Sequence, residues 1–397
     1  MQKKLLKNIT GDLIYSIGAM AVLNGVLQLV IYPYMNKYMG ADTAGFAISI
    51  MSIVAIMGAS FGSSANYSRL IRRMHYDVKN GDFNIFLLIS FVIAAIVSGV
   101  VTITVAHDGV GFFILFLILL ILSIARYYGD VEFRLSLNYK GYFVYYLLVG
   151  LGYVLGIGLY LLTKNWMAII ITGEIAALVF VYFRGTIFRP LTVERSEHFS
   201  ENMKSMFTLT GSNLLTTIAS NADKVMILAF IGATGVTVFH ASSIIGKTIS
   251  LFTVPLNSVL IGYITRYKGE FQRKHFLYIG GILLAIGLIM TAACYIGSRI
   301  FVGLLYVNVY EEAKKYFFMA NAGQVFYFIS STFMLILLRF TGETYQLAIN
   351  LVYLIVFLLI AIPATIVFKL DGIVYAIMIA NTLKFLGILA VGTVKKQ

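Results

Sequence analysis

The chain has 397 residues, of which 60% are hydrophobic and 12% charged, about half the roughly 25% charged fraction of a soluble protein. That composition excludes a water-soluble fold and leaves no room for a sizeable soluble domain. The 30 Lys and Arg against 17 Asp and Glu are scattered between apolar stretches rather than gathered into a patch, which excludes nucleic acid as a partner and points to membrane orientation.

Lys3, Lys4 and Lys7 precede an apolar run that is too long for a signal peptide and has no convincing cleavage site, so the run counts as the first span, at about 12 to 34. Further spans are predicted at about 42 to 63, 84 to 106, 110 to 129, 142 to 162 and 165 to 183. A polar connection follows from Arg184 to Met206, with Pro190, Glu194, Glu197 and Glu201. After it come spans at about 206 to 231, 235 to 264, 276 to 297, 316 to 338, 346 to 367 and 372 to 393. Runs this continuously apolar lack the alternation of a barrel strand, and lipid offers the backbone no water, so the spans are helices. The expected fold is an all-α polytopic membrane protein of twelve transmembrane helices. Residues 1–184 are expected to form one six-helix bundle, 185–205 a cytoplasmic linker, and 206–397 a second six-helix bundle.

With a cytoplasmic N-terminus, 21 of the 30 basic residues fall in inside segments and six outside, among the latter Lys37, Lys164, Arg299 and Lys369. That bias predicts both termini inside. Six spans per half then give the halves the same orientation, a parallel repeat of the kind found in secondary transporters. Lys37-Tyr38-Met39-Gly40-Ala41 with Phe46-Ala47 recurs as Ala229-Phe230-Ile231-Gly232-Ala233 with Phe239-His240-Ala241, in support of that repeat.

Polar groups in a bilayer face protein or a hydrated cavity, because lipid cannot solvate them. In the eighth span His240, Ser243, Lys247 and Ser250 share one helical face, and in the seventh Asn213, Thr217, Ser220 and Lys224 do so. The first span offers Asn24 and Gln28, the tenth Asn321 and Gln324, the last Asn381 and Lys384. The uncharged members also serve as ordinary interhelical glue. The lysines are harder to explain that way, since an ammonium near the midplane costs about 2.5 to 3.5 kcal/mol. Two acids, Asp223 and Glu174, lie within spans and are candidates to bind a coupling cation. Asp223 and Lys224 point about 100° apart on their helix and are expected to be poor partners for each other. Asp12, Asp130 and Glu132 lie near cytoplasmic ends, where solvent or helix-terminus effects account for them.

Catalytic signatures are missing. The five His show no metal spacing, the single Cys294 lies in an apolar run, and no phosphate loop or nucleophile elbow occurs. A non-enzyme without metal or cofactor is expected. Pro33, Pro255 and Pro363 fall in or at the ends of spans and are candidate kinks, with Pro255 a candidate hinge.

The stretch Ile31-Tyr32-Pro33-Tyr34-Met35-Asn36-Lys37-Tyr38-Met39-Gly40, then Ala44-Gly45-Phe46, resembles the corresponding region of polysaccharide flippases, the exporters of lipid-linked O-antigen and capsule units. Asn221-Ala222-Asp223-Lys224-Val225-Met226-Ile227-Leu228, Gly232, Phe239-His240-Ala241, Pro255 and Ile264-Thr265-Arg266 look like the seventh and eighth spans of the same superfamily, which also holds the multidrug and toxic compound extrusion (MATE) exporters. The sequence departs from the common pattern at Ala44, where Tyr is frequent, and at Arg266, where Pro is usual. The resemblance implies a MATE-like pair of bundles around a cavity that opens alternately to either side, in the plasma (inner) membrane of a bacterium. It implies as cargo undecaprenyl-diphosphate-linked oligosaccharide. Lys247, Lys224, Lys384 and Arg339 would then face the diphosphate or acidic sugars, and His240, Asn24, Gln28, Asn321 and Gln324 the sugar hydroxyls. Membrane lipids and a polysaccharide polymerase complex are the other expected partners. The alternatives are a cation-coupled multidrug exporter of the same fold and a membrane polysaccharide polymerase.

Overall fold

The computed structural model describes residues 2–106, 109–250, 273–341 and 343–394, with side chains described from residue 11 onward apart from those at 250, 339–344 and 347. The described residues are helical, with no strand among them. The first half comprises α1 (Gln2–Val26), α2 (Tyr32–Met39), α3 (Ala41–Met57), α4 (Ser63–Arg72), α5 (Asn80–Val101), α6 (Val110–Gly129), the short α7 (Val131–Leu135), α8 (Tyr139–Thr163) and α9 (Met167–Arg184). The second comprises α10 (Phe199–Phe230), α11 (Ala233–Ser250), α12 (Arg273–Leu305), the short α13 (Tyr310–Ala313), α14 (Phe317–Thr341) and α15 (Glu343–Val394). Among the described residues, nine helical runs are long and apolar enough to cross a membrane. The last of these, Ala348–Val394, contains a break at Lys369 (φ 52, ψ −128). The chain is therefore a multi-pass membrane protein. The predicted eighth span is described as far as Ser250; Pro255, Thr265 and Arg266 lie outside the described residues.

Lipid contact reverses the usual sorting of side chains. Val92, Ile96, Leu155 and Ile289 are each 60% or more exposed, which suits hydrocarbon as it would not suit water. Inside, aliphatic and aromatic side chains pack together with buried polar groups such as Asn66, Asp82 and Glu174.

Two compact units are present. The first contains Met1–Tyr32 and Ser49–Val225, the second Pro33–Ile48 and Met226–Gln397. In the first, α8 and α9 approach closely because Gly152 and Gly173 face one another. A Cβ on Gly152 would lie 2.5 Å from the Cα of Gly173, so small residues here let two backbones touch as membrane helices often do. The core of the second unit is built from Phe276, Phe328, Ile329, Phe333, Leu337, Phe385 and Ile388.

The repeated turns are structurally alike. Gly40 (φ 90) and Gly232 (φ 115) both hold left-handed backbone immediately before α3 and α11, a conformation open to Gly at little cost. Both turns belong to the second unit and pack together: Thr237 Oγ donates to the Ala41 carbonyl at 2.6 Å, and a Cβ on Gly45 would lie 1.7 Å from the Ala233 carbonyl oxygen. Lys164 (φ 56) separates the runs Tyr139–Thr163 and Met167–Arg184, and Lys369 (φ 52) breaks the run Ala348–Val394, again at positive φ. At Pro33 the missing N–H and the ring crowd the preceding turn, and the helix widens there into a π turn at Leu27–Ile31.

The connection from Gly185 to His198 is bound to the first unit rather than loose. Glu132 Oε2 accepts from the backbone N–H of Thr186 (2.8 Å) and Ile187 (3.1 Å). Asn80 Nδ2 donates to the carbonyls of Thr186 and Arg189, and Asn84 Nδ2 to that of Thr192 at 2.8 Å. Fully buried Asp82 accepts from Ser196 N (2.9 Å), Ser196 Oγ (2.5 Å) and Asn202 Nδ2 (2.7 Å). Beside it Tyr76 stacks on His198, with ring centroids 3.9 Å apart, and donates to Asn202 Oδ1 at 2.6 Å. Burial pushes the Tyr76 phenol above its usual pKa, against the pull of Arg72.

Candidate functional site

In the first unit the buried charges form a network along α8. Tyr142, Tyr145, Tyr146 and Tyr153 are all fully buried or nearly so and recur at helical spacing on one face. A buried phenol needs a partner, and each finds one on a neighbouring helix. Tyr153 OH donates to Glu174 Oε1 at 2.9 Å, Tyr146 OH to Asp130 Oδ2 at 2.7 Å, and Tyr145 OH to the Arg126 carbonyl at 2.9 Å. Tyr142 OH accepts from Arg134 at 3.2 Å.

Glu174, 0% exposed, pairs with Arg126 Nε at 2.6 Å. Arg126 also lies over the Tyr127 ring at 4.3 Å, while its Nη1 is buried without a hydrogen-bond acceptor. Glu174 is thus paired within its own unit by a basic residue 48 positions away in sequence. Asp130 corrects an expectation of solvation. It is 3% exposed, not solvated, and accepts from Asn66 and Tyr146 and pairs with Arg134 at 3.3 Å. Glu132, half-buried in the first turn of α7 as its helix-terminus position suggests, also holds the linker backbone.

A further correction concerns Asp223 and Lys224. Lys224 Nζ lies 3.6 Å from Asp223 Oδ1 and donates to Asn221 Oδ1 at 3.2 Å. Its four-carbon stem bends back along α10, so the angular separation of neighbouring residues does not keep the charged ends apart. Of the polar residues expected to line the first span, Asn24 donates to the Met20 carbonyl of its own helix at 2.9 Å, and Gln28 sits in the π turn with its Oε1 buried and without a donor. A polar seam also joins α10 to the π turn at Gly58–Gly62, through Ser60 with Thr217 (3.0 Å) and Asn213 Nδ2 with Ser64 Oγ (2.9 Å).

In the second unit α14 is the shared wall between α11 and α15. Asn321 is saturated: its Oδ1 accepts from Gly246 N (2.7 Å), and its Nδ2 reaches the carbonyls of Ser242 and Phe317 and the hydroxyl of Ser298. Gln324, one turn on, is half-buried and lies against Gly246. Lys247 is half-buried, with Nζ 4.8 Å from the centroid of Phe239. His240 is 2% exposed, edge-on to Tyr306 at 6.1 Å. Asn381 donates to the Gly323 carbonyl at 3.0 Å. Lys384, three residues further along the same face of α15, lies between two rings, 5.2 Å from Tyr327 and 4.7 Å from Tyr353. Among the described residues, no carboxylate comes within ion-pair distance of Lys384. The Arg339 side chain lies outside the described residues. No group of three or more potential metal ligands occurs among them.

The tyrosine stripe and Arg126 are the residues that sequence reasoning missed. The 142, 145, 146, 153 spacing was there to be read, whereas the 48-residue separation of Arg126 from Glu174 left no local signal.

No family profile matches the chain, and no curated protein sequence does. Solved structures do. The chain is similar to lipid II flippase MurJ in an inward closed conformation, with a TM-score of 0.71 at 15% identity, over 95% of this chain and 87% of that one. It is also similar to an inward-facing MATE family multidrug resistance transporter of the MOP superfamily (TM-score 0.57, 14% identity, 96% and 95% covered). A MOP superfamily transporter from Pyrococcus furiosus, described as having a binding pocket of reversed polarity, gives 0.55 at 15% identity with 97% and 95% covered. The MATE-like helical fold expected from the sequence is therefore the fold of this chain.

Proposed function

We propose that the chain is a flippase that moves an undecaprenyl-diphosphate-linked oligosaccharide from the cytoplasmic to the outer leaflet of a bacterial plasma membrane, by alternating access. The observation that carries this is Lys384. A cation–π contact is worth about 0.5 to 2 kcal/mol, while placing an ammonium at mid-bilayer depth costs about 2.5 to 3.5 kcal/mol. Two tyrosine rings thus hold the charge in place without neutralising it, and an anion completes the balance. A diphosphate supplies that anion. Lys247, on a ring of its own, is the second candidate contact, and Gln324 and His240 are candidates for the sugar hydroxyls.

The other polar residues take different parts. Asn321 has its amide fully used in packing, and Lys224 is paired with Asp223, which makes both weaker candidates for cargo. Glu174 is paired with Arg126, which argues against a free carboxylate poised for a coupling ion there. A cation-exporting site of the same fold would need unpaired acid, and both membrane-embedded acids singled out from the sequence have basic partners. The fold likeness to a lipid II flippase supports a lipid-linked cargo in place of a soluble drug. O-antigen or capsule units, an outward partner that polymerises them, and internal termini belong to the same proposal.

Cells deprived of the protein are expected to accumulate lipid-linked saccharide facing the cytoplasm. An unchanged distribution between leaflets, with cationic dye export lost, would instead support a drug exporter.

A further inference from the structure

At one end of the first unit, α5, α6, α9 and the Gly185–His198 connection enclose a cleft of about 630 Å³, within the range of pockets that bury a small ligand. Its walls include Leu87, Phe91, Ile121, Val179, Tyr182 and Leu191, and they are almost wholly apolar. Cavities that serve sugars or ions carry convergent polar groups, and this one does not. Its rim is different. The segment from Arg184 to Arg195 carries three arginines against a single acid, Glu194. Arg189 is fixed over the wall residue Tyr182, 5.3 Å from the ring centroid, by Nη2 bonds to the carbonyls of Gly185 (2.9 Å) and Phe183 (3.3 Å) at the end of α9. Arg184 is exposed beside Phe183. An apolar slot beside an arginine-bearing segment, with Tyr182 and Phe183 at the end of the apolar run Met167–Arg184, the kind of position where membrane proteins are rich in aromatics, matches a molecule with a hydrocarbon chain and an anionic head.

We infer that this cleft is a binding site for an anionic glycerophospholipid of the membrane, one acyl chain lying along α5 and α9 and the phosphate held by Arg184, Arg189 and Arg195. The bound lipid bridges α9 to the stapled connection, and so ties the polar end of the unit to the bilayer. The inference does not depend on what the protein transports.

The test is native mass spectrometry of the purified full chain with added phosphatidylglycerol or phosphatidylcholine. Wild type is expected to retain phosphatidylglycerol preferentially. Val179→Trp, which fills the slot, is expected to abolish retention, and Arg184→Gln with Arg195→Gln to weaken it about fivefold for each arginine. The double Gln variant changes exposed positions, so it reads the site even if Val179→Trp fails to fold. Equal retention of the two lipids by wild type overturns the inference, as does undiminished phosphatidylglycerol binding by the double variant. Displacement of phosphatidylglycerol by a polyisoprenyl phosphate would assign the slot to a cargo tail and would overturn it too.

Discussion

Glu174 and Arg126 show how a single buried pair decides between two roles for an acid in a membrane. At 2.6 Å, with Tyr153 on the other carboxylate oxygen, Glu174 is half of a buried ion pair, and we propose a structural role for it. Removing one member of such a pair leaves an uncompensated charge and costs about 3 to 5 kcal/mol, whereas replacing both by apolar residues is often close to neutral. Glu174→Gln should therefore lower the melting temperature strongly, and Glu174→Leu with Arg126→Met should recover most of the loss. If Glu174→Gln instead stops transport while leaving the melting temperature unchanged, Glu174 is an ion carrier and the pairing is incidental. The sequence displays the acid but not its partner. Asp130 and Asp223 teach the same lesson, since proximity to a span end or to a neighbouring residue says little about where a side chain finds its counter-charge.

Among the elements, the connection after α9 shows most that its sequence did not display. Its Pro, its acids and its arginines read as a polar linker, and Asp82, Glu132, Asn80 and Asn84 bind its backbone along most of its length. Hydrogen bonds to a charged acceptor are worth about 1.5 to 3 kcal/mol each. Asp82→Asn should accordingly raise local opening about tenfold or more, and trypsin should cut after Arg195 correspondingly faster in the folded protein. An unchanged cleavage rate would mean that the other contacts suffice. The apolar spans themselves were legible because hydrocarbon imposes length and composition directly: α6 begins at Val110 and ends at Gly129, as its hydrophobic limits predict. The repeated Gly turns were legible for a related reason, since left-handed backbone at Gly40 and Gly232 restricts the residue choice. Capture of a linker by Asp82 and Glu132 leaves no such periodic trace.

At the scale of the whole molecule, the charge bias predicts a sidedness that can be measured directly. Cys294, the single cysteine, is buried, so introduced thiols report cleanly. A Cys at Glu197 should react with an impermeant reagent only from the cytoplasmic side, and one at Lys315 only from outside; the reverse pattern would invert the proposed topology. What the sequence conveyed at this scale was the fold class and the presence of basic residues within the spans. Which of those residues are already neutralised emerged only from packing, and it separates Lys224, beside Asp223, from Lys384, between Tyr327 and Tyr353. The account therefore rests most heavily on Lys384. Its direct test is reconstitution into liposomes carrying a polyisoprenyl-diphosphate-linked saccharide on one leaflet, comparing wild type with Lys384→Ala and Lys384→Arg at equal protein content. Wild type should translocate the lipid, Lys384→Ala should lose at least tenfold in rate, about 1.4 kcal/mol, and Lys384→Arg should retain most of it. Translocation by Lys384→Ala at the wild-type rate would contradict the account.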